Sequence, residues 1–132
     1  MTNTNTGNSA PVIETVEALK QAYAQGQRNF SGVSLPETTL KATELKGADL
    51  SYADLSSADL RQASLRGADL SYALLRGADL SQADLRGATL IGTDLRESVL
   101  ATANVTDADY DPEETRFPAE FDPVQAGMRS DL

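Results

Sequence analysis

The groups in this sequence with chemistry to offer are carboxylates. Cysteine, histidine and tryptophan are absent from its 132 residues, which removes thiolate and imidazole metal ligands, disulfides, and Ser-His-Asp or Cys-His nucleophiles. What remains recurs in a short motif, Ala-Asp-Leu, that sets Asp49, Asp59, Asp69 and Asp79 ten residues apart. Carboxylates gathered in this way could bind Ca²⁺, which takes about six to eight oxygens from a shaped loop. They could also serve catalysis in a concave pocket that excludes water. Either use depends on the elements that hold them.

Those elements follow from a second regularity. Leu35, Leu40, Leu45, Leu50, Leu55, Leu60, Leu65, Leu70, Leu75, Leu80, Leu85, Leu90, Leu95 and Leu100 fall at every fifth residue, with Phe30 before them and Val105 and Tyr110 after them in the same register. A period of five matches neither the 3.6 of a helix nor the 2 of a strand, so neither keeps the series on one face. The chain has to turn at a fixed interval and stack on itself. Only 40% of the residues are hydrophobic and 5% aromatic, thin for a globular core but sufficient for a stacked column in which each unit needs only its neighbours.

From Arg28 to Pro112 the sequence divides into 17 units of five, each with a large apolar residue at its centre and almost always a small one, such as Ala48, Ala68 or Ala88, two positions earlier. This pattern resembles the pentapeptide-repeat family, with its A-[DN]-L-x-x consensus. The helix ending in Gly-Gln-Arg-Asn-Phe and the segment TRFPAEFDPVQAGM are similar to the flanks of cyanobacterial single-domain members. The resemblance implies an all-β solenoid, a right-handed quadrilateral β-helix with four units per coil and both the central and the small side chains turned inward. The sequence carries its own sign of that coil, since KGADLSY at 46–52 returns as RGADLSY at 66–72 and, more loosely, as RGATLIG at 86–92. Seventeen units make a little over four coils, roughly 20 Å tall at ~4.8 Å per coil.

Around this repeat the expected divisions are a disordered polar tail over 1–10, an N-terminal capping helix over 11–27, the β-helix over 28–112, and a C-terminal cap and tail over 113–132. Ser9 or Asn8 can cap the helix and Pro11 suits its first turn. Val12, Val16, Leu19 and Tyr23 form its apolar stripe, and Gly26 ends it. Asp122-Pro123 reads as the start of a short helix reaching about Ala126. The N-terminus has no basic region followed by an apolar stretch, so a cytoplasmic protein is expected. A net charge of −9 disfavours nucleic-acid backbone and anionic membrane as partners.

Under a twenty-residue coil Asp49 stacks with Asp69 and Asp59 with Asp79, while Lys46, Arg66 and Arg86 share one basic column and Arg76 and Arg96 another. A flat face supplies two or three carboxylate oxygens and no loop to complete a metal site, so no metal, no cofactor and no catalysis are expected. These Asp residues read as turn formers that hydrogen-bond local backbone. The resemblance raises a second possibility, because the family includes proteins that shield topoisomerases by presenting a duplex-like rod of charge. Residues 28–112 hold ten Asp and three Glu against six Arg and two Lys, a net of −5. Duplex DNA of the same ~20 Å would carry about twelve charges. A regulator of a topoisomerase or DNA-binding protein by charge mimicry is therefore the alternative. The leading expectation is a non-enzymatic interaction or scaffold module, monomeric, that shows side chains on a rigid wall to an unidentified protein partner. Its candidate patch lies where the pattern breaks: Tyr52, Tyr72 and Leu74 near one corner, with Ile91 and Val99 as further apolar departures.

Overall fold

A five-residue unit with one inward-facing leucine has to bend before the next unit begins, and that bend sets the backbone. In the computed structural model, which describes residues 12–131, the leucine carbonyl accepts the N–H of the small residue three positions on. Ala48 N to Leu45 O and Ala68 N to Leu65 O are both 3.0 Å. The residue just before the small one is left-handed, with φ of 62° at Tyr52, 61° at Gln62 and 68° at Gly67. A positive φ at the third residue alone defines a type II turn. Thr102 departs from this rule, and its hydroxyl rather than a main-chain carbonyl accepts the Gln82 N–H at 3.1 Å.

Between turns the chain runs straight for only about two residues, and parallel bridges join residues twenty apart. One face carries Asn29, Asp49, Asp69, Thr89 and Asp109 in vertical register; the next carries Ser34, Asp54, Leu74 and Asp94. The third carries Thr39, Asp59, Asp79 and Val99, and the fourth Glu44, Ser64, Asp84 and Asn104. Each rung exchanges bonds with both neighbouring coils, as in Asp69 N to Ala48 O (2.9 Å) below and Leu70 N to Thr89 O (2.8 Å) above. Inside, Leu50, Leu55, Leu60, Leu65, Leu70, Leu75, Leu80, Leu85, Leu90 and Leu95 are all fully buried, and Ala53, Ala68, Ala73, Ala78 and Ala88 fill the spaces between them. Each leucine so buried contributes about 1.5–3 kcal/mol.

The N-terminal helix, α1, spans Val16–Ala24 and is shorter than the 11–27 expected. The Thr15 hydroxyl accepts the Ala18 N–H at 3.0 Å and starts the helix there; the expected caps Asn8 and Ser9, with Pro11 and the 1–10 tail, lie outside the described residues. At the other end Gly26, at φ 99°, closes a Schellman motif through Gln27 N to Ala22 O and Gly26 N to Tyr23 O. Val16, Leu19 and Ala22 are buried against the repeat column, whereas Val12 is 77% exposed and is no part of the stripe. The Tyr23 hydroxyl donates to Lys46 O at 2.7 Å, and the Arg28 guanidinium lies 3.7 Å over the Tyr23 ring.

Among the described residues the C-terminal segment contains no α-helix, against expectation. Asp122 accepts the N–H groups of Val124 and Gln125 as a cap does, but Gly127 at φ 89° ends the turn at once. Met128 N reaches back to Pro123 O and Gly127 N to Val124 O, a Schellman closure after one turn. The helix cannot lengthen because Met128 has to enter the core and the next two residues rejoin the ladder. Asp109–Tyr110 (β1) pairs in parallel with Arg129–Ser130 (β2). The bridging register therefore continues past residue 112.

Truncating Leu65 to Ala is expected to cost ~2–5 kcal/mol in chemical denaturation, because a close-packed column cannot collapse onto the void. Ala68→Leu should destabilise as well, by ~1–3 kcal/mol from overpacking.

Candidate functional site

The aspartates are committed locally. Asp49, Asp54, Asp59, Asp69, Asp79 and others each accept, through Oδ1, the main-chain N–H two residues on, at 2.9–3.1 Å. Where the residue two on is arginine, the same carboxylate is also clamped side-on. Arg61 Nε and Nη2 meet Asp59 Oδ1 and Oδ2 at 2.9 and 2.7 Å, and Arg86–Asp84 and Arg96–Asp94 repeat that geometry. The Arg61 guanidinium draws the Asp59 carboxyl down from 3.8 to about 2, and its neighbours act the same way on Asp84 and Asp94. Among the described residues no three carboxylates converge to hold a metal ion. The Asp-Leu-Arg spacing that makes these pairs is plain in the sequence, but reading columns alone missed it, because each pair lies within one unit.

Leu74 interrupts this scheme. Arg76 has no aspartate two residues before it, and it turns to the next coil, where Nε meets Glu97 Oε1 at 2.9 Å. The residue that breaks the acidic pattern also stands on the wall as an apolar group, 45% exposed.

The tyrosines occupy one corner of the prism, in the vertical order Gly32, Tyr52, Tyr72, Gly92. The rings of Tyr52 and Tyr72 stack with centroids 5.4 Å apart and planes 16° from parallel. They lean toward the C-terminal end: a Cβ on Gly92 would overlap the Tyr72 ring, while a Cβ on Gly32 would meet nothing within 4 Å. Above Gly92 the chain carries two extra residues, since Asp94 bridges Arg116 instead of residue 114. The resulting loop, 111–115, is pinned by Thr115, whose hydroxyl donates to Leu90 O at 2.7 Å and accepts from Asp111 N at 3.0 Å. It brings Glu114 down to accept the Tyr72 hydroxyl at 2.9 Å, which pushes the phenol's pKa up. The Asp111-Pro112 break announces a loop in the sequence, but nothing there says that Glu114 reaches Tyr72.

The register thus gathers Tyr52, Tyr72 and Leu74 at one corner, with the half-buried Ile91 on the same column as Ser51 and Ser71. It does not bring in Val99, which bridges Asp79 on a different face. Val99 lines a shallow groove of about 450 Å³ with Leu100, Pro118 and Phe121.

Two measurements check these contacts. Gly67 and Gly92 share the same turn position and left-handed φ (68° and 69°), but only Gly92 lies under a ring. Gly67→Ala should cost about 1–2 kcal/mol, the ordinary penalty for Ala in that conformation. Gly92→Ala should cost more and weaken the tyrosine near-ultraviolet circular dichroism, and adding Tyr72→Ser should return the cost to that of Gly67→Ala. The second measurement is acid titration. The depressed Asp59, Asp84 and Asp94 contribute stability that is present above the unfolded carboxyl value near 3.9 and is lost as pH falls through their folded values, about 2 at Asp59. Arg61→Gln should flatten that acid limb by lowering stability at pH 7 slightly, since exposed pairs are weak, while stability at the acid end stays unchanged.

The family model for pentapeptide repeats matches residues 29–62 and 63–101, in eight copies. No curated protein matches the chain. A pentapeptide repeat protein of known structure from Nostoc Pcc 7120 is 46% identical over 92% of this chain and 99% of that one, with a TM-score of 0.89. One from the Arabidopsis thaliana thylakoid lumen is 28% identical over 62% of this chain and 68% of that one (TM-score 0.45). One from the cyanobacterium Cyanothece 51142 shares the fold at 21% identity, over 77% of this chain and 99% of that one (TM-score 0.51). Such proteins fold as right-handed quadrilateral β-helices and are generally non-catalytic structural or interaction modules. With its five-residue leucine period, its twenty-residue bridging register and these matches, the chain belongs to the pentapeptide-repeat family.

Proposed function

We propose that the chain is a non-enzymatic protein–protein interaction module, working as a cytoplasmic monomer, that offers the Tyr52–Tyr72–Leu74 corner to a protein partner. The observation that carries this reading is the combination of exposure and order at that corner. Tyr52 is 64%, Tyr72 41% and Leu74 45% exposed, yet the rings are stacked and Tyr72 is held at its hydroxyl. Exposed aromatic groups already fixed in place lose little conformational freedom on binding, which is how tyrosine contributes affinity at interfaces. The backbone beneath them is tied to the coils on both sides, so the surface is presented without rearrangement.

Charge mimicry of duplex DNA draws less support. Three of the arginines neutralise aspartates two residues away, which breaks the wall into paired charges instead of a continuous negative rod.

The test compares partners recovered from extract by wild type and by a Tyr72→Ser, Leu74→Asp variant. Both changes are compatible with the fold, since Ser57 occupies the same left-handed turn position and Asp54 and Asp94 are the bridge neighbours of Leu74. Loss of a specific partner from the variant is expected, and identical partner sets would refute the assignment of this corner.

A further inference from the structure

Going around the prism, the residue after each leucine marks a corner, and the four corners differ in charge. One carries Pro36, Ser56, Arg76 and Arg96, the next Lys41, Arg61, Ser81 and Ala101, and the third Lys46, Arg66, Arg86 and Thr106. The tyrosine corner carries Ser31, Ser51, Ser71, Ile91 and Asp111, with no cation at any level. Asp49 and Asp69 flank the rings on one face and Asp54 on the other, and the loop above adds Asp111 and Glu114. Of the arginines on the adjoining faces, Arg96 pairs with Asp94, Arg76 with Glu97 and Arg129 with Asp109, while Arg116 stands above Asp94 at the loop end of the stack, away from Tyr52. The corner therefore combines an ordered aromatic stack with a surplus of negative charge around Tyr52.

The stack is also open at one end. Tyr72 covers Gly92, and Tyr52 covers Tyr72, but among the described residues a Cβ on Gly32 would meet nothing within 4 Å. Tyr52 stays 64% exposed above a glycine step, beside carboxylates. A π-face of this kind attracts a cation, and a planar guanidinium can stack on it while donating hydrogen bonds to carboxylates at its edge. Arg28 over Tyr23 shows the same pairing elsewhere in this chain, at 3.7 Å.

We infer that the partner enters with an arginine side chain laid on the outer face of Tyr52, above Gly32, as part of a basic segment running along the cation-free corner. This rests on the functional reading above and names the chemistry of the partner that the reading requires. Tyr52 is the anchor, Asp49 and Asp54 supply the flanking charge, and Leu74 takes apolar contact from the same segment.

The experiment titrates the isotopically labelled full chain with a blocked Gly-Arg-Gly-Arg-Gly peptide and follows amide shifts by NMR. Three controls accompany it, namely the same peptide with citrulline for arginine, the same peptide with leucine for arginine, and Tyr52→Phe and Tyr52→Ser variants of the protein. The expected result is shifts concentrated at Gly32, Ser51, Tyr52 and Tyr72, binding retained by Tyr52→Phe, and affinity lowered at least fivefold by Tyr52→Ser or by citrulline. Shifts spread evenly over all the acidic faces would overturn the inference in favour of diffuse charge attraction. Equal binding of the leucine peptide would overturn it in favour of an apolar occupant. Either failure, alongside continued loss of a partner by the Tyr72→Ser, Leu74→Asp variant, would remove the arginine chemistry and leave the interaction corner standing.

Discussion

The bond from each rung to the rung twenty residues away is the constraint on which the whole molecule depends. A chain that is straight for two residues at a time has no sheet of its own, so apart from the turn bond to leucine and the bond to aspartate its backbone donors and acceptors are satisfied by the coils above and below. That requires successive coils to follow the same path, and a shared path requires the same turn at the same place. Tolerance for non-glycine residues such as Tyr52, Gln62 and Tyr72 at positive φ follows from this. The local strain of each is small beside the ladder bonds and buried leucine that the turn makes possible.

The same register creates the charge problem that the aspartates solve. Identical positions in successive coils are ~4.8 Å apart, so a favourable turn former repeated every coil becomes a column of like charge. The carboxylates answer by accepting a main-chain N–H on one oxygen, and at Asp59, Asp84 and Asp94 by an arginine on both. The three clamped by arginine at both oxygens have little left for a metal or a substrate. The residues that looked most chemical in the sequence are therefore part of the scaffold.

How far the sequence could be read depended on whether a feature belonged to the repeat. The leucine column, the small alanines and the stacking of Tyr52 on Tyr72 follow from periodicity and need no coordinates. The ends do not repeat, and there the reading slipped. Thr15 rather than an earlier residue begins α1, because the helix has only to cover the first coil with Val16, Leu19 and Ala22. The helix expected after Asp122 stops after one turn, because Met128 and β2 are drawn back into the ladder. The Glu114–Tyr72 contact arises from a two-residue insertion whose path no local pattern specifies.

A break in such a pattern acts in two directions at once. Replacing an aspartate by Leu74 puts an apolar group on the wall, and it also frees Arg76 from its own unit so that it reaches Glu97 in the next coil. Placing tyrosine at Tyr72 adds an exposed ring, and it also requires a residue without a side chain at Gly92, since any Cβ there would enter the ring. Substitutions at this corner are thus coupled vertically through the register and horizontally through the unit. A surface assembled from coupled departures can change its chemistry only by changing several positions together, whereas a surface of independent residues could drift one at a time. That coupling is the physical sense in which Tyr52, Tyr72, Leu74, Gly92 and Glu114 form one site although they come from separate coils.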